Sequence, residues 1–396
     1  MSEKKRKDIS SGKSLLGALN RDLKLILLSN FVGAFGDGFY FYLLPLYIRT
    51  LEAGPVEVGI FFSVLCLSAA ITPILGGFLA DRYDRKKVMI LGWLIWVPVP
   101  LIFSLAEHWR QMLPVAVLYG CWLGQPASSA YVATSADRRK MTLTFTMISA
   151  AWWSGYVFSP ALGGYLSRYV IGMRRVFLLS FIFYALCTTI LLFIRSQHAK
   201  KQSSPPSSPT PFRRKTILLW SLFFAVIMFV QVMVRPSVPQ FLDDVYGFDE
   251  FHIGILASIT FFGSALLTIL LGRIGDRRTR AAAVSISMIL CCVSMVILVS
   301  FNNFPTLILA SFLLGSSYSA WSVVSALFGS IAPEASRGRW MSLQQTAGMG
   351  AAFFAPYFGG MLYEAWPYNP FIVAIVATPL LAVLALTSPF QENTDR

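Results

Sequence analysis

Charge is scarce in this chain: 13% of its 396 residues are Asp, Glu, Lys or Arg, against 56% hydrophobic. A soluble core of this length cannot bury so much apolar surface, so a water-soluble globule is excluded and lipid must cover the excess. Histidine is nearly missing, and His108, His198 and His252 are too scattered to build a metal site or a catalytic triad. Cysteine is sparse as well. Cys66, Cys121, Cys187, Cys291 and Cys292 all fall in apolar stretches at no zinc or redox spacing, and read as small packing residues. Phosphate-cradling loops are also lacking: Gly12-Lys13-Ser14 has Lys7 where the first glycine belongs, and Gly348-Met349-Gly350 has no third glycine. No enzyme, cofactor or metal is therefore expected, and without a nucleotide site any transport should draw on an ion gradient.

What the chain has is long apolar runs. A membrane helix needs about 20 mostly apolar residues, because the hydrocarbon layer is about 30 Å thick. Such runs lie near 22–48, 56–80, 87–106, 111–135, 142–167 and 174–195, and again near 215–242, 252–274, 281–301, 305–332, 339–364 and 370–390. The first is too long for a signal-peptide core and has no small-residue cleavage site, so it should stay as a span. Between the two sets, Ser203-Ser204-Pro205-Pro206-Ser207-Ser208-Pro209 cannot build a packed core and reads as a linker. The expected organisation is an N-terminal segment (1–21), a six-helix bundle (22–195), a linker (196–214), a second six-helix bundle (215–390) and a tail (391–396).

A formal charge of +14 could point to nucleic acid, but its distribution points elsewhere. With the N-terminus inside, nearly all of the 33 Lys and Arg fall in inner segments, and the outer side holds Arg49, Arg110, Arg168, Arg174 and Arg175. Basic residues are retained on the cytoplasmic side during insertion, so both termini are expected to be cytoplasmic in a multi-pass protein of the cell membrane. The basic excess is then a topology signal, no nucleic-acid partner is expected, and the surrounding partner is the lipid bilayer. The group Arg168, Arg174 and Arg175 departs from the rule without an explanation in the sequence.

Local patterns recur at a nearly constant offset of about 195 residues, the signature of a duplicated architecture. Pro45 matches Pro239, Val58-Gly59-Ile60 matches Ile253-Gly254-Ile255, Gly77 with Asp81 matches Gly272 with Asp276, and Pro160 with Gly163-Gly164 matches Pro356 with Gly359-Gly360. Six spans per half with both termini inside make the halves parallel repeats about an axis normal to the membrane. Such halves leave a cavity between them near the midplane.

The stretch Gly77-Phe78-Leu79-Ala80-Asp81-Arg82-Tyr83-Asp84-Arg85-Lys86-Lys87 resembles the signature loop between helices two and three of the major facilitator superfamily. Gly272-Arg273-Ile274-Gly275-Asp276-Arg277-Arg278 looks like its echo in the second half. The resemblance covers essentially the whole chain. It implies an all-α membrane protein, twelve transmembrane helices as two parallel six-helix repeats, working as a secondary transporter by alternating access. It also implies that Asp81 and Arg85, with Asp276 in the echo, belong to a charge latch closing the cytoplasmic side. The family usually has Gly where this chain has Asp84, and Asp is among the few residues tolerating the left-handed backbone expected there.

Gly155-Tyr156-Val157-Phe158-Ser159-Pro160-Ala161-Leu162-Gly163-Gly164 looks like the fifth-helix motif of drug:proton antiporters in the same superfamily. Its physical content is a proline kink beside a flat glycine face, so Pro160, Gly163, Gly164, Pro356, Gly359 and Gly360 are expected as hinges. Two departures stand against the antiporter pattern. Ser159 replaces a usual Gly, and Gly120 occupies the place, four residues before Gly124, where many proton-coupled exporters carry an Arg.

Asp37 is the only acidic residue well inside a span, where a charge costs about 2.5 kcal/mol or more unless paired or hydrated. It could take up a coupling proton, neutralise a cationic substrate, or pair with Arg235, the only basic residue deep in a span, as a gate across the cavity. Polar and aromatic candidates for the cavity wall are Asn30, Tyr40, Gln125, Trp152 and Tyr156 in the first half and Gln231, Tyr318, Trp321 and Gln344 in the second. The expected activity is proton-coupled efflux of small lipophilic or cationic compounds by a monomer. The alternatives are solute uptake by symport or uniport, and lipid translocation, since Ala34-Phe35-Gly36-Asp37 also looks like the first helix of lysophospholipid transporters.

Overall fold

A computed structural model describes residues 19–137, 141–198, 211–331 and 337–387, with backbone alone at 142, 211–217, 276, 280, 319–331 and 337–345. The first half contains α1 (Arg21–Gly38), α2 (Leu44–Thr50), α3 (Pro55–Arg82), α4 (Arg85–Trp96), α5 (Pro98–Leu105), α6 (Met112–Tyr119), α7 (Gln125–Ser135), α8 (Met141–Tyr165) and α9 (Met173–Leu191). The second contains α10 (Pro211–Val234), α11 (Ser237–Asp244), α12 (Glu250–Arg277), α13 (Arg280–Ser300), α14 (Phe304–Ile331), α15 (Arg337–Ala365) and α16 (Asn369–Ala385). Residues 203–209 of the expected linker and both chain ends lie outside the described residues.

These helices form the twelve spans, four of which are pairs rather than single helices: α1 with α2, α4 with α5, α6 with α7, and α10 with α11. Proline has no N–H and clashes with the carbonyl one turn earlier, so breaks fall beside Pro45, Pro98, Pro126 and Pro236. Broken backbone survives at membrane depth only where protein groups satisfy it. At the α6–α7 break Trp96 Nε1 donates to Cys121 O at 2.8 Å, and Trp122 N donates to Thr72 Oγ1 at 2.9 Å. The outward faces stay apolar. Ile74, Leu75 and Phe78 on α3, and Val376, Leu380 and Val383 on α16, are exposed to what would be lipid.

Helix starts follow the capping chemistry of the sequence. The side chains of Asn20, Asp249 and Thr279 accept from Leu23 N, His252 N and Ala282 N at 2.8, 3.0 and 3.1 Å. Asp84 corrects an expectation: its φ of −59° is not left-handed, and it instead caps α4, accepting from Lys86 N at 2.9 Å.

The halves meet along two seams, α3 against α15 and α8 against α12. Without a hydrophobic driving force in lipid, close helix approach depends on small residues, and the repeat supplies them symmetrically. A methyl group on Gly59 of α3 would stand 2.3 Å from Pro356 O of α15, and one on Gly254 of α12 would stand 2.4 Å from Pro160 O of α8. Gly360 likewise abuts Pro55 O, and Gly164 abuts Glu250 O. Each contact is the repeat-mate of another. The hinge glycines expected at 164 and 360 are thus seam residues, while Gly163 and Gly359 press on Phe39 O and Met233 O inside their own halves.

Candidate functional site

Asp37 is the next-to-last residue of α1 and only 2% exposed. Glycines bring α1 against its neighbours: Gly33 meets Trp93, Gly36 meets Phe183, and Gly38 meets Ser159. That proximity places four tyrosines around the carboxylate. Tyr119 Oη, at the end of α6, donates to Asp37 Oδ1 at 2.7 Å, Tyr184 of α9 donates to the same oxygen, and Tyr156 of α8 donates to Oδ2. Tyr40 shares a 3.0 Å hydrogen bond with Tyr184. Trp93 and Trp96 pack on Tyr184, with Trp96 also against Tyr119, and Trp152 lies 6.0 Å from Tyr156. Both carboxylate oxygens are therefore served by neutral donors, which hold a charged carboxylate without supplying a counter-charge.

The expected Asp37–Arg235 ion pair is not formed in this structure. Arg235, released from helix by Pro236, lays its guanidinium over Tyr318 at 4.3 Å and reaches Ser317 O from Nη2 at 3.4 Å. Between the two charges runs an aromatic ladder, with Tyr156 to Phe261 at 4.9 Å and Phe261 to Tyr318 at 5.3 Å. Arg235 borders a cavity with room for about one water molecule, lined also by Tyr42, Gln231, Val238, Ser317 and Tyr318.

An opposite-charge pair across the halves does exist, at the end of the molecule where α2 and α11 close. Arg49, in the last turn of α2, pairs with Asp244, the last residue of α11, at 2.5 Å, one residue out of step with the offset that joins Pro45 to Pro239. Tyr363 Oη also donates to Asp244 at 2.9 Å. Beside it, Arg168 pairs with Asp249 at 3.8 Å and Tyr169 Oη donates to Asp249 at 3.1 Å. Arg174 Nη2 donates to Ala106 O at 3.0 Å, so two of the three arginines that depart from the expected charge rule have structural work. The carboxyl of Asp249 is raised by burial, but bonds from His252 and Tyr169 outweigh this and hold it below the ordinary range.

At the opposite end the signature loop is engaged within its own half. Arg85 Nη1 donates to Ala130 O, Thr134 Oγ1 and Gln197 Oε1 at 3.2, 2.7 and 2.8 Å, and Asp81 is exposed. A methyl group on Gly77, or on its mate Gly272, would meet nothing described within 4 Å. Burial works against the Asp84 carboxylate, yet bonds from Gln197, Ser196 and Lys86 keep it below the usual carboxylate range. The seams are thus closed at one end of the molecule, while at the other a methyl on either signature glycine meets no described atom.

The remaining candidates divide. Tyr40, expected at the cavity wall, is instead fully buried in the first half against Phe103, Tyr119 and Phe177, and serves the Asp37 cage. Asn30 is half-buried on α1, and Gln125 is exposed at the start of α7. The side chains of Asp276, Trp321 and Gln344 lie outside the described residues. Tyr119, Tyr184, Arg49 and Asp244 escaped the sequence reading. The last two lie on the repeat-related helices α2 and α11.

The family model for the Major Facilitator Superfamily matches residues 26–235 and 220–395. Multidrug resistance protein 2 of Bacillus subtilis (strain 168) is 23% identical over 388 residues, covering 94% of this chain and 96% of that protein. Multidrug resistance protein MdtG of Enterobacter lignolyticus (strain SCF1) is 30% identical over 307 residues, covering 72% and 73%. Among solved structures, a variant of the nucleoside transporter NupG superposes with a TM-score of 0.78 at 16% identity, covering 94% of this chain and 100% of that one, a likeness of fold alone.

Proposed function

The chain belongs to the major facilitator superfamily, as a multi-pass transporter of small molecules, and from that premise we propose that it exports lipophilic or cationic compounds in exchange for protons. The names of its relatives support the export of drug-like compounds. The observation that carries the proton is the cage around Asp37. With both oxygens occupied by tyrosine hydroxyls and 2% exposure, the carboxylate is better arranged to gain and lose a proton than to hold a bulky cation.

On this reading the two halves rock about the midplane, and the protein is a monomer of the cell membrane, both termini cytoplasmic, with no catalytic activity of its own. The Arg49–Asp244 pair and the two glycine seams then close the external side, leaving the cytoplasmic side as the one that opens to the site. Export begins from that state. Proton binding at Asp37 from outside and release inside would bias the rocking, since a ligand shifts a two-state equilibrium by its differential affinity for the two states.

The test is accumulation of ethidium by inverted vesicles given a pH gradient. Gradient-driven accumulation that collapses with an uncoupler supports the reading, whereas accumulation indifferent to the gradient removes the proton.

A further inference from the structure

The second half carries a polar pocket that the chemistry of Asp37 does not use. Gln231 and Ser317 are 1% and 2% exposed. Gln231 Oε1, Ser317 Oγ and Arg235 Nε are all buried with no hydrogen-bond partner, and the three residues line one cavity. No ion pair among the described residues neutralises Arg235, whose contacts are the Tyr318 ring and a long bond to Ser317 O. Proteins leave few buried polar groups unpaired, so three that converge on one cavity mark a place where a ligand completes their hydrogen bonding.

The donors specify the ligand. A guanidinium offers parallel N–H groups in a plane, Ser317 offers an O–H, and the Gln231 amide can turn its N–H₂ toward the cavity, because its oxygen and nitrogen are interchangeable in placement. A planar oxyanion accepts all of these at once. The cavity holds about one water molecule, so as it stands it takes one oxygen of such a group and must widen slightly for the second, and it cannot enclose a whole solute. The body of the solute must then extend between the halves, where Tyr42 of the first half and Tyr318 of the second offer aromatic walls. One guanidinium also matches the single charge of a carboxylate better than the double charge of a phosphate monoester.

We propose that Gln231, Arg235 and Ser317 bind the carboxylate of a transported amphipathic acid or zwitterion, which adds organic acids to the substrate class. The proposal rests on the transporter reading above. It is tested on the purified full-length chain by fluorescence titration with dansylglycine and with its uncharged amide, dansylglycinamide. The acid should bind at least tenfold more tightly. Arg235→Gln should bring both probes to the affinity of the amide, Arg235→Lys should keep only part of the preference, and Ser317→Ala should weaken the acid severalfold while leaving the amide unchanged. Equal binding of the two probes by the unaltered protein overturns the proposal, as does a preference that survives in Arg235→Gln. Should Arg235→Gln not fold, Arg235→Lys and Ser317→Ala decide it, an undiminished preference in both being the overturning result. Ethidium accumulation separates the two readings: its persistence without acid preference removes the carboxylate site only, and its failure removes the export reading whatever the probes show.

Discussion

Replacing Gly59 by valine should open the outer side. The added Cβ would lie 2.3 Å from Pro356 O, and ordinary contact begins at 3.4 Å, so α3 and α15 must part by about 1.1 Å along the seam. The obstacle is backbone carbonyl, which cannot rotate away as a side chain would. Overpacking of this kind costs about 1 to 3 kcal/mol. Because the strain exists only while the seam is closed, that energy acts on the equilibrium between states, and about 2 kcal/mol corresponds to roughly a 30-fold shift. A population closed 99:1 at rest would fall to about 3:1.

The measurement is the distance between spin labels at Glu52 and Glu364, exposed residues of the two halves at the end where the seams close, in a background freed of native cysteines. Gly59→Val should add a longer-distance population, Gly254→Val should add one by the symmetric clash with Pro160 O, and Gly77→Val should add none, since it meets nothing described. A folded Gly59→Val protein whose distances match the parent would refute the assignment of the glycine seams as the closing element.

The Arg49 and Asp244 side chains are 31% and 26% exposed, so the pair's contribution should be small, about 0.2 to 1 kcal/mol. Arg49→Asp should lengthen the same label distance modestly and Arg49→Asp with Asp244→Arg should restore it; no recovery in the double variant would show that the pair is incidental. Asp37→Asn should reduce ethidium accumulation in inverted vesicles to under a tenth and abolish its response between pH 6 and 8, and a normal pH response would place coupling elsewhere. Tyr119→Phe and Tyr184→Phe each remove a donor to a buried carboxylate, worth about 1.5 to 3 kcal/mol, and should lower the melting temperature, whereas an unchanged melt in both would mean the cage holds no charge. Asp84→Ala should remove about 1 kcal/mol of capping. Since hydrogen bonding depresses that carboxyl, its contribution is present above the ordinary aspartate range and lost as pH falls through the lowered value. The melting difference should therefore stay constant from pH 8 to 5 and narrow only below about 4, and a difference that fades near pH 6 would contradict this.

The spans, the repeat and the isolation of Asp37 as a buried acid are legible because each depends on local pattern: apolar runs of membrane length, recurring Gly and Pro, and one acid where acids are costly. The tyrosine cage was not. Tyr119 and Tyr184 stand 82 and 147 residues from Asp37, and within an apolar helix a tyrosine that faces a carboxylate has the same local sequence signature as one that faces lipid. Arg235 stands out in the sequence by its depth, yet pairing it with Asp37 rests on charge alone, which cannot foresee the ladder of Tyr156, Phe261 and Tyr318 between them. The same logic of opposite charges on equivalent helices does hold for Arg49 and Asp244, where the halves meet directly.

The repeat also locates where the halves diverge. The offset that joins Pro45 to Pro239 carries Asp37 onto Gln231, and the offset that joins Pro160 to Pro356 carries Tyr156 onto Ala352. The second half therefore lacks both the acid and a tyrosine of its cage, and has a neutral amide beside Arg235 instead. If protons bind at Asp37 and an anionic group at Arg235, the two ligands occupy separate sites divided by an aromatic ladder, and neither displaces the other by direct contact. Exchange must then arise through the equilibrium between open and closed seams, each ligand favouring a different state. A variant that weakens a glycine seam, with both sites intact, should accordingly loosen the ratio of protons to substrate rather than the affinity for either.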